Sequence, residues 1–148
     1  MVVPAYSSAS SIIKIGQAST SPKQIVGTIS TVFVKDPTDP RWAKDKTVAL
    51  YRSIMKKYNA SGDVKDPYNM YGMAVAYTMV DVLEKVGKNP TRENVMKASL
   101  HLNESNPFLP PEIRVRTSPT DRFPVEQARL IRWLGARWGS FGPVYSLR

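Results

Sequence analysis

The chain has 148 residues, enough for one ordinary domain and too few for two of typical size. Hydrophobic residues make up 42% and charged residues 22%, a globular balance that argues against wholesale disorder. There is no cysteine and one histidine, His101, so disulfides, thiolate metal sites and a His-based metal cluster are excluded, and no metal is expected.

Twenty-one Lys and Arg against twelve Asp and Glu give a net charge of +9, spread along the chain rather than gathered in a run. That pattern reads first as a solvated basic surface, and only second as a footprint for an anionic partner such as nucleic acid. Met1–Ser11 carries neither a basic start nor an apolar run of signal length. The most apolar stretch, Met70–Val86, is interrupted by Gly72, Thr78, Asp81 and Glu84, so no membrane span is expected.

In chain order, the Ser-rich opening followed by Ile12, Ile13 and Ile15 predicts a short helix over residues 7–15, begun by a serine cap. Residues 25–34, Ile-Val-Gly-Thr-Ile-Ser-Thr-Val-Phe-Val, are β-branched and aromatic and predict a buried strand. It should stop at Asp36-Pro37, since Pro fixes φ, removes a donor and holds the preceding residue extended. Asp39-Pro40 then offers a cap acceptor with Pro at the first helical position. The helix it predicts carries Trp42, Val48, Tyr51, Ile54, Met55 and Tyr58 on one side, and Asn59–Gly62 ends it.

Asp66-Pro67 repeats the cap. Apolar residues from Tyr68 to Val86 fill most of the circumference of the next helix, which predicts a central, buried helix stopped by Gly87. Asn89-Pro90-Thr91 opens a third helix through Leu100, and Asn106-Pro107 with Pro110-Pro111 force an extended segment. The last elements read as a hairpin, with residues 128–134 and 138–141 flanking Gly135-Ala136. The order predicts an α/β or α+β layout, with so few strands that part of the sheet is expected in a further segment or a second copy of the chain. The two Pro-rich stretches, residues 34–42 and 114–124, read as places where the chain passes between two lobes, as in proteins that close around a small solute.

No Gly-x-Ser-x-Gly elbow, Walker-type loop or Gly-x-Gly-x-x-Gly fingerprint is present, so no enzyme is expected and no catalytic residue is assigned. Asp36 with Asp39, and Asp63 with Asp66, read as turn and cap residues beside Pro rather than as catalytic pairs. His101 reads as a surface residue at a helix end. Tyr68, Tyr71 and Tyr77 read as core or interface packing, with a ligand cleft as the alternative. Arg114, Arg116, Arg129, Arg132 and Arg137 around Trp133 and Trp138 would suit nucleic acid, but protection of an exposed strand edge accounts for them better, and no nucleic-acid partner is expected.

Taken together, Val34-Lys35-Asp36-Pro37-Thr38-Asp39-Pro40-Arg41-Trp42, Tyr71-Gly72, Pro90-Thr91-Arg92-Glu93-Asn94-Val95, Thr117-Ser118-Pro119-Thr120-Asp121 with Phe123-Pro124, and Arg137-Trp138 near Phe141-Gly142 are similar to the C-terminal portion of the solute-binding proteins of branched-chain amino acid ABC transporters, the leucine/isoleucine/valine-binding family. The resemblance implies part of a type I periplasmic-binding-protein fold: an incomplete two-lobed α/β sandwich, completed by dimerisation. It divides the chain into residues 1–35 of a second lobe, 36–118 as the helical part of a first lobe, and 119–148 returning to the second lobe. It implies binding of an amino acid or related solute by lobe closure, an ABC permease as partner, a periplasmic location, and no cofactor. The opening Pro4-Ala5-Tyr6-Ser7-Ser8 would face the ligand, making Tyr6, Ser7 and Ser8 the expected contacts. The family's acid for the ligand ammonium would fall in this loop, where none stands, so an amide or a carboxylate fits as well as an amino acid. The alternatives are a dimeric interaction remnant that binds no solute and, more weakly, a basic nucleic-acid-binding module.

Overall fold

The computed structural model describes residues 1–147, apart from the side chains of residues 10, 11 and 14. A 3-10 turn at Ala5–Ser8 leads into α1 (Ser10–Ser19), and a second turn at Pro22–Ile25 leads to β1 (Ile29–Val32). After a 3-10 turn at Pro40–Trp42 come α2 (Lys46–Tyr58), α3 (Pro67–Val86) and α4 (Arg92–Ser99). β2 (Asn103–Glu104) and β3 (Val115–Arg116) form a short ribbon, and β4 (Gln127–Trp133) and β5 (Trp138–Ser146) end the chain.

The main sheet has the order β1-β4-β5, antiparallel throughout, with Thr31 opposite Leu130 and Trp133 opposite Trp138. Gly135, at φ 94°, turns the β4–β5 hairpin as expected, and the register shifts between Arg129 and Leu130. Met1–Val3 runs parallel along the outer edge of β1, with Val3 N–H donating to Ile29 O at 2.9 Å and Ile29 N–H donating to Met1 O at 2.9 Å.

Several expectations are corrected. β1 is shorter than the predicted strand: Ile25 closes a 3-10 turn opened by Pro22, and Gly27 at φ 85° turns the chain before pairing begins. The first helix follows Ala9, which has no capping side chain, so the serine cap is not used. Trp42 lies in the 3-10 turn that Asp39 caps, and α2 starts later at Asp45, whose carboxylate accepts from the Thr47 and Val48 amides. α3 has the bounds its signals predict, Asp66 accepting from Tyr68 N–H and Gly87 closing it at φ 68°. It is not a buried helix, because only Met70, Ala74 and Val82 are covered.

Two hydrophobic clusters result. One gathers Val48, Tyr51 and Met55 from α2, the buried stripe of α3, and Leu102, Phe108, Leu109, Ile113 and Val115 around the ribbon. The other holds Ile13, Ile25, Ile131, Trp133 and Trp138 beneath the sheet, the two indoles meeting edge to face at 5.5 Å. Val32 packs partly against both. Each fully covered Val, Met or aromatic side chain contributes about 1.5–3 kcal/mol relative to exposure, so both clusters bear on stability. Tyr51, fully buried, donates its hydroxyl to Val64 O at 3.0 Å, and burial with the nearby Asp66 and Asp63 carboxylates pushes that hydroxyl up to about 12, so it remains a donor at any ordinary pH.

The chain passes from sheet to helices through Phe33–Asp39. Here Lys35, 6% exposed, ion-pairs with the Asp45 cap at 2.8 Å and lies 5.1 Å from the centre of the Trp42 ring. Partial burial pushes the Asp45 carboxyl up, but the Lys35 and amide hydrogen bonds outweigh it and hold the group below its ordinary value. Its contribution to stability is therefore present above the ordinary carboxylate range and lost as pH falls through the lowered value. Asp45→Ala is expected to cost about 3 kcal/mol in denaturant unfolding, since it uncaps α2 and strands a buried ammonium. Asp81→Ala, which breaks the more exposed Lys85–Asp81 pair at 2.6 Å, should cost under about 0.5 kcal/mol.

Candidate functional site

Where the opening turn, β1 and the start of α3 converge, they leave a recess of about 220 Å3. The turn contributes Ala5, Tyr6, Ser8 and Ala9, β1 and its continuation contribute Thr31–Val34, and α3 contributes Pro67, Tyr68 and Tyr71. The alternation of β1 places side chains on both of its faces, and the Asp66-Pro67 cap fixes where α3 begins and thus where its first tyrosines stand. Tyr68 Oη donates to Tyr6 O at 2.5 Å, and Phe33 meets Tyr71 edge to face at 5.7 Å. The walls are therefore largely aliphatic and aromatic, with hydroxyls at the margins, the composition of a small-molecule site.

Of the three contacts expected from the opening loop, Tyr6 and Ser8 line this recess and Ser7 does not. Tyr6 is 66% exposed. Ser8 is buried and largely committed to the fold: its hydroxyl donates to Ala5 O at 2.7 Å, and its carbonyl accepts from Trp138 Nε1 at 2.8 Å. Ser7 holds the turn through its amide, which donates to Pro4 O at 2.9 Å. Tyr68 and Tyr71, read first as packing residues, are 47% and 46% exposed and stand on the recess. Phe33, Thr31 and Val34 were missed as site residues, because a strand pattern does not say which element faces it.

Beside this recess, sharing Ser8, Val32, Val34 and Pro67 with it, is a tighter charged gap of about 30 Å3, room for about one water. Arg41 crosses it. Its Nε donates to Asp39 Oδ2 at 2.9 Å, its Nη2 donates to Ser140 Oγ at 2.6 Å, and its guanidinium lies 5.2 Å from the centre of the Trp42 ring. Arg129 pairs with Glu112 at 3.1 Å on the same wall. Burial pushes the Asp36 carboxyl above its ordinary value, against the two hydrogen bonds it accepts from Thr38. Asp36, Asp39, Asp63 and Asp66 all accept from backbone amides two residues on, the turn and cap role expected of them. His101 lies just past the end of α4, with Nδ1 2.7 Å from Lys97 O.

The arginines near the C-terminus are partly committed as well. Arg114 donates to Asn103 and Ser105, and the Arg132 guanidinium lies 4.8 Å from the centre of the Phe141 ring. Among the described residues there is no group of three or more His, Asp or Glu placed to hold a metal ion, and no helix is long and apolar enough to cross a membrane.

No protein-family model matches the chain, and no curated protein matches it. Solved structures do. The chain superposes on the crystal structure of a branched chain amino acid ABC transporter from Thermus thermophilus with bound valine, with a TM-score of 0.76 and 15% identity, over 98% of this chain and 38% of that one. It also superposes on a structure described as an ABC transporter permease from the Pseudomonas fluorescens group, with a TM-score of 0.67 and 16% identity, over 98% of this chain and 36% of that one. The chain thus has the α/β fold of a portion of a periplasmic-binding protein, the fold its motifs implied, and spans under two fifths of the length of these neighbours.

Trp138→Phe keeps the ring contact with Trp133 but removes the indole donor to Ser8. It is expected to lower unfolding free energy by about 1–2 kcal/mol and to increase amide hydrogen exchange in residues 5–9.

Proposed function

We propose that this chain is a solute-binding module of the ABC-transporter type that holds a small solute in the recess between Tyr6, Phe33 and Tyr71 without any covalent step. The observation that carries the reading is the coincidence of two things: a periplasmic-binding-protein fold over 98% of the chain, and an apolar recess where the opening turn meets β1 and α3. The neighbour from Thermus thermophilus holds valine, and a recess walled by Val32, Phe33, Val34 and Tyr71 suits a branched aliphatic group of similar size. The solute class is an amino acid, or an amide or carboxylate carrying such a group.

In this reading residues 1–35 and 119–148 form one lobe and 36–118 the other, and Tyr6, Ser7 and Ser8 approach the solute from the first. Tyr68 and Arg41, which reach from the helical side to Tyr6 O and Ser140, support closure of one part on the other. The delivery partner is a membrane permease, and the place of action is the periplasm. A homodimer is part of this reading, supported by the half-exposed apolar side chains of α3.

That uncovered helix also favours a second reading, a dimeric interaction module that binds no solute. A thermal-shift series separates the two, because a ligand that favours the folded state raises its melting temperature. L-Valine, L-leucine, their amides and the matching carboxylates are expected to raise it in a concentration-dependent, stereoselective way, and Tyr71→Ala should reduce the shift. No shift with any of them, from a sample that melts cooperatively, selects the second reading.

A further inference from the structure

The charged gap beside the apolar recess is walled by the opening turn, the crossover, β4 and β5, so its chemistry is set within the chain. Three carboxylates line it, Asp36, Asp39 and Glu112, against two guanidinium groups, Arg41 and Arg129. Arg41 pairs with Asp39 at 2.9 Å and Arg129 with Glu112 at 3.1 Å. Asp36 is left without an ion pair among the described residues. Both hydrogen bonds it accepts, from the Thr38 amide and hydroxyl, fall on Oδ1, and no donor is seated on Oδ2. Its carboxyl is pushed up because burial outweighs the Thr38 bonds and the nearby Arg41 charge, the behaviour of an acid that still lacks a cation of its own.

We propose that Asp36 receives the ammonium group of the solute, whose head enters the charged gap while its branched aliphatic part lies in the apolar recess. This rests on the solute-binding reading above and names the residue that selects among the solute classes it leaves open. Size favours it: the gap of about 30 Å3 has room for about one water, which an ammonium matches and a carboxylate, with two oxygens on one carbon, exceeds. Hydrogen bonding favours it as well. An ammonium brings three donors and no acceptor. Asp36 Oδ2 supplies one acceptor, and the Ser8 and Ser140 hydroxyl oxygens on the same gap each keep a lone pair beyond the bonds they make with Ala5 O and Arg41.

The gap and the recess share Ser8, Val32, Val34 and Pro67, so one solute can lie in both. A buried donor on the gap, Arg129 Nε–H, has no acceptor among the described residues and suits a carboxyl or amide oxygen on the carbon that bears the ammonium. A plain carboxylate would set a second negative charge against Asp36 and leave its need unmet.

Asp36→Asn keeps an Oδ1 acceptor for the Thr38 turn and removes the charge. In isothermal titration calorimetry L-valine is expected to bind the unmodified chain at least about 10-fold more tightly than isovalerate, which has the same branched end and no ammonium. Asp36→Asn should raise the dissociation constant for L-valine at least about 30-fold and leave that for isovalerate no higher. Asp63→Asn, at a turn of the same kind away from the gap, should change neither. Isovalerate binding as tightly as L-valine, or L-valine binding Asp36→Asn as tightly as the unmodified chain, overturns Asp36 as the partner of the ammonium and leaves the solute reading standing. Binding of neither compound, to a chain that melts cooperatively, overturns both. Should Asp36→Asn fail to fold, the comparison of L-valine with isovalerate on the unmodified chain decides alone.

Discussion

Between the sheet and the helices the chain passes through Phe33–Asp39, and within that passage stands Lys35, with 6% of its surface exposed. A buried ammonium is tolerated only with a partner, and Asp45 supplies one at 2.8 Å while capping α2 with its other oxygen. A single carboxylate thus starts α2 and neutralises the crossover, and the Lys35 and Arg41 cations both lie near the Trp42 ring at the same corner. With Lys35 held, Val34 turns into the helical cluster, Val32 touches both clusters, and Phe33 is set against Tyr71. The apolar recess depends on that placement, since Thr31–Val34 form one wall of it and the opening turn and the start of α3 form the others.

The two recesses divide the work of the site. The charged gap is filled by its own ion pairs, Arg41 with Asp39 and Arg129 with Glu112, and has little room left; it holds the sheet side to the helical side through Arg41 and Ser140. The larger recess is lined mostly by aliphatic and aromatic side chains. Tyr68 links the two sides again at the opposite end by donating to Tyr6 O. The turn at Ala5–Ser8 is held by its backbone, since Tyr6 O accepts from Tyr68 Oη and Ser8 O accepts from Trp138 Nε1.

Much of this architecture is local and therefore readable in the chain. Asp66-Pro67 and Gly87 delimit α3 to the residue, and Gly135 places the final hairpin, because caps and positive-φ turns act within a few positions. Asp45 was less visible than Asp39, having no Pro after it, yet the longer helix belongs to Asp45. β1 was over-read because Ile25 and Val26 favour strands by composition, while Pro22 and Gly27 decide their backbone. Burial of α3 was misjudged for another reason: a helix apolar on every side gives no period from which to tell the face that packs from the face left open. The site was legible only in part. Tyr6 and Ser8 came from a resemblance in the opening loop, whereas Phe33, Tyr68 and Tyr71 meet through contacts distant in sequence that no motif announces.

The central claim is that the Lys35–Asp45 corner couples the two hydrophobic clusters into one folding unit. Its most direct test is urea unfolding of a Trp42→Phe variant followed two ways, by circular dichroism, which reports mainly α2, α3 and α4, and by the fluorescence of Trp133 and Trp138, which reports the sheet cluster. Coincident transitions, which separate when Asp45→Ala is added, are the predicted result. Two separate transitions with Asp45 intact would contradict it, and would mean that the clusters fold independently and that the crossover only tethers them.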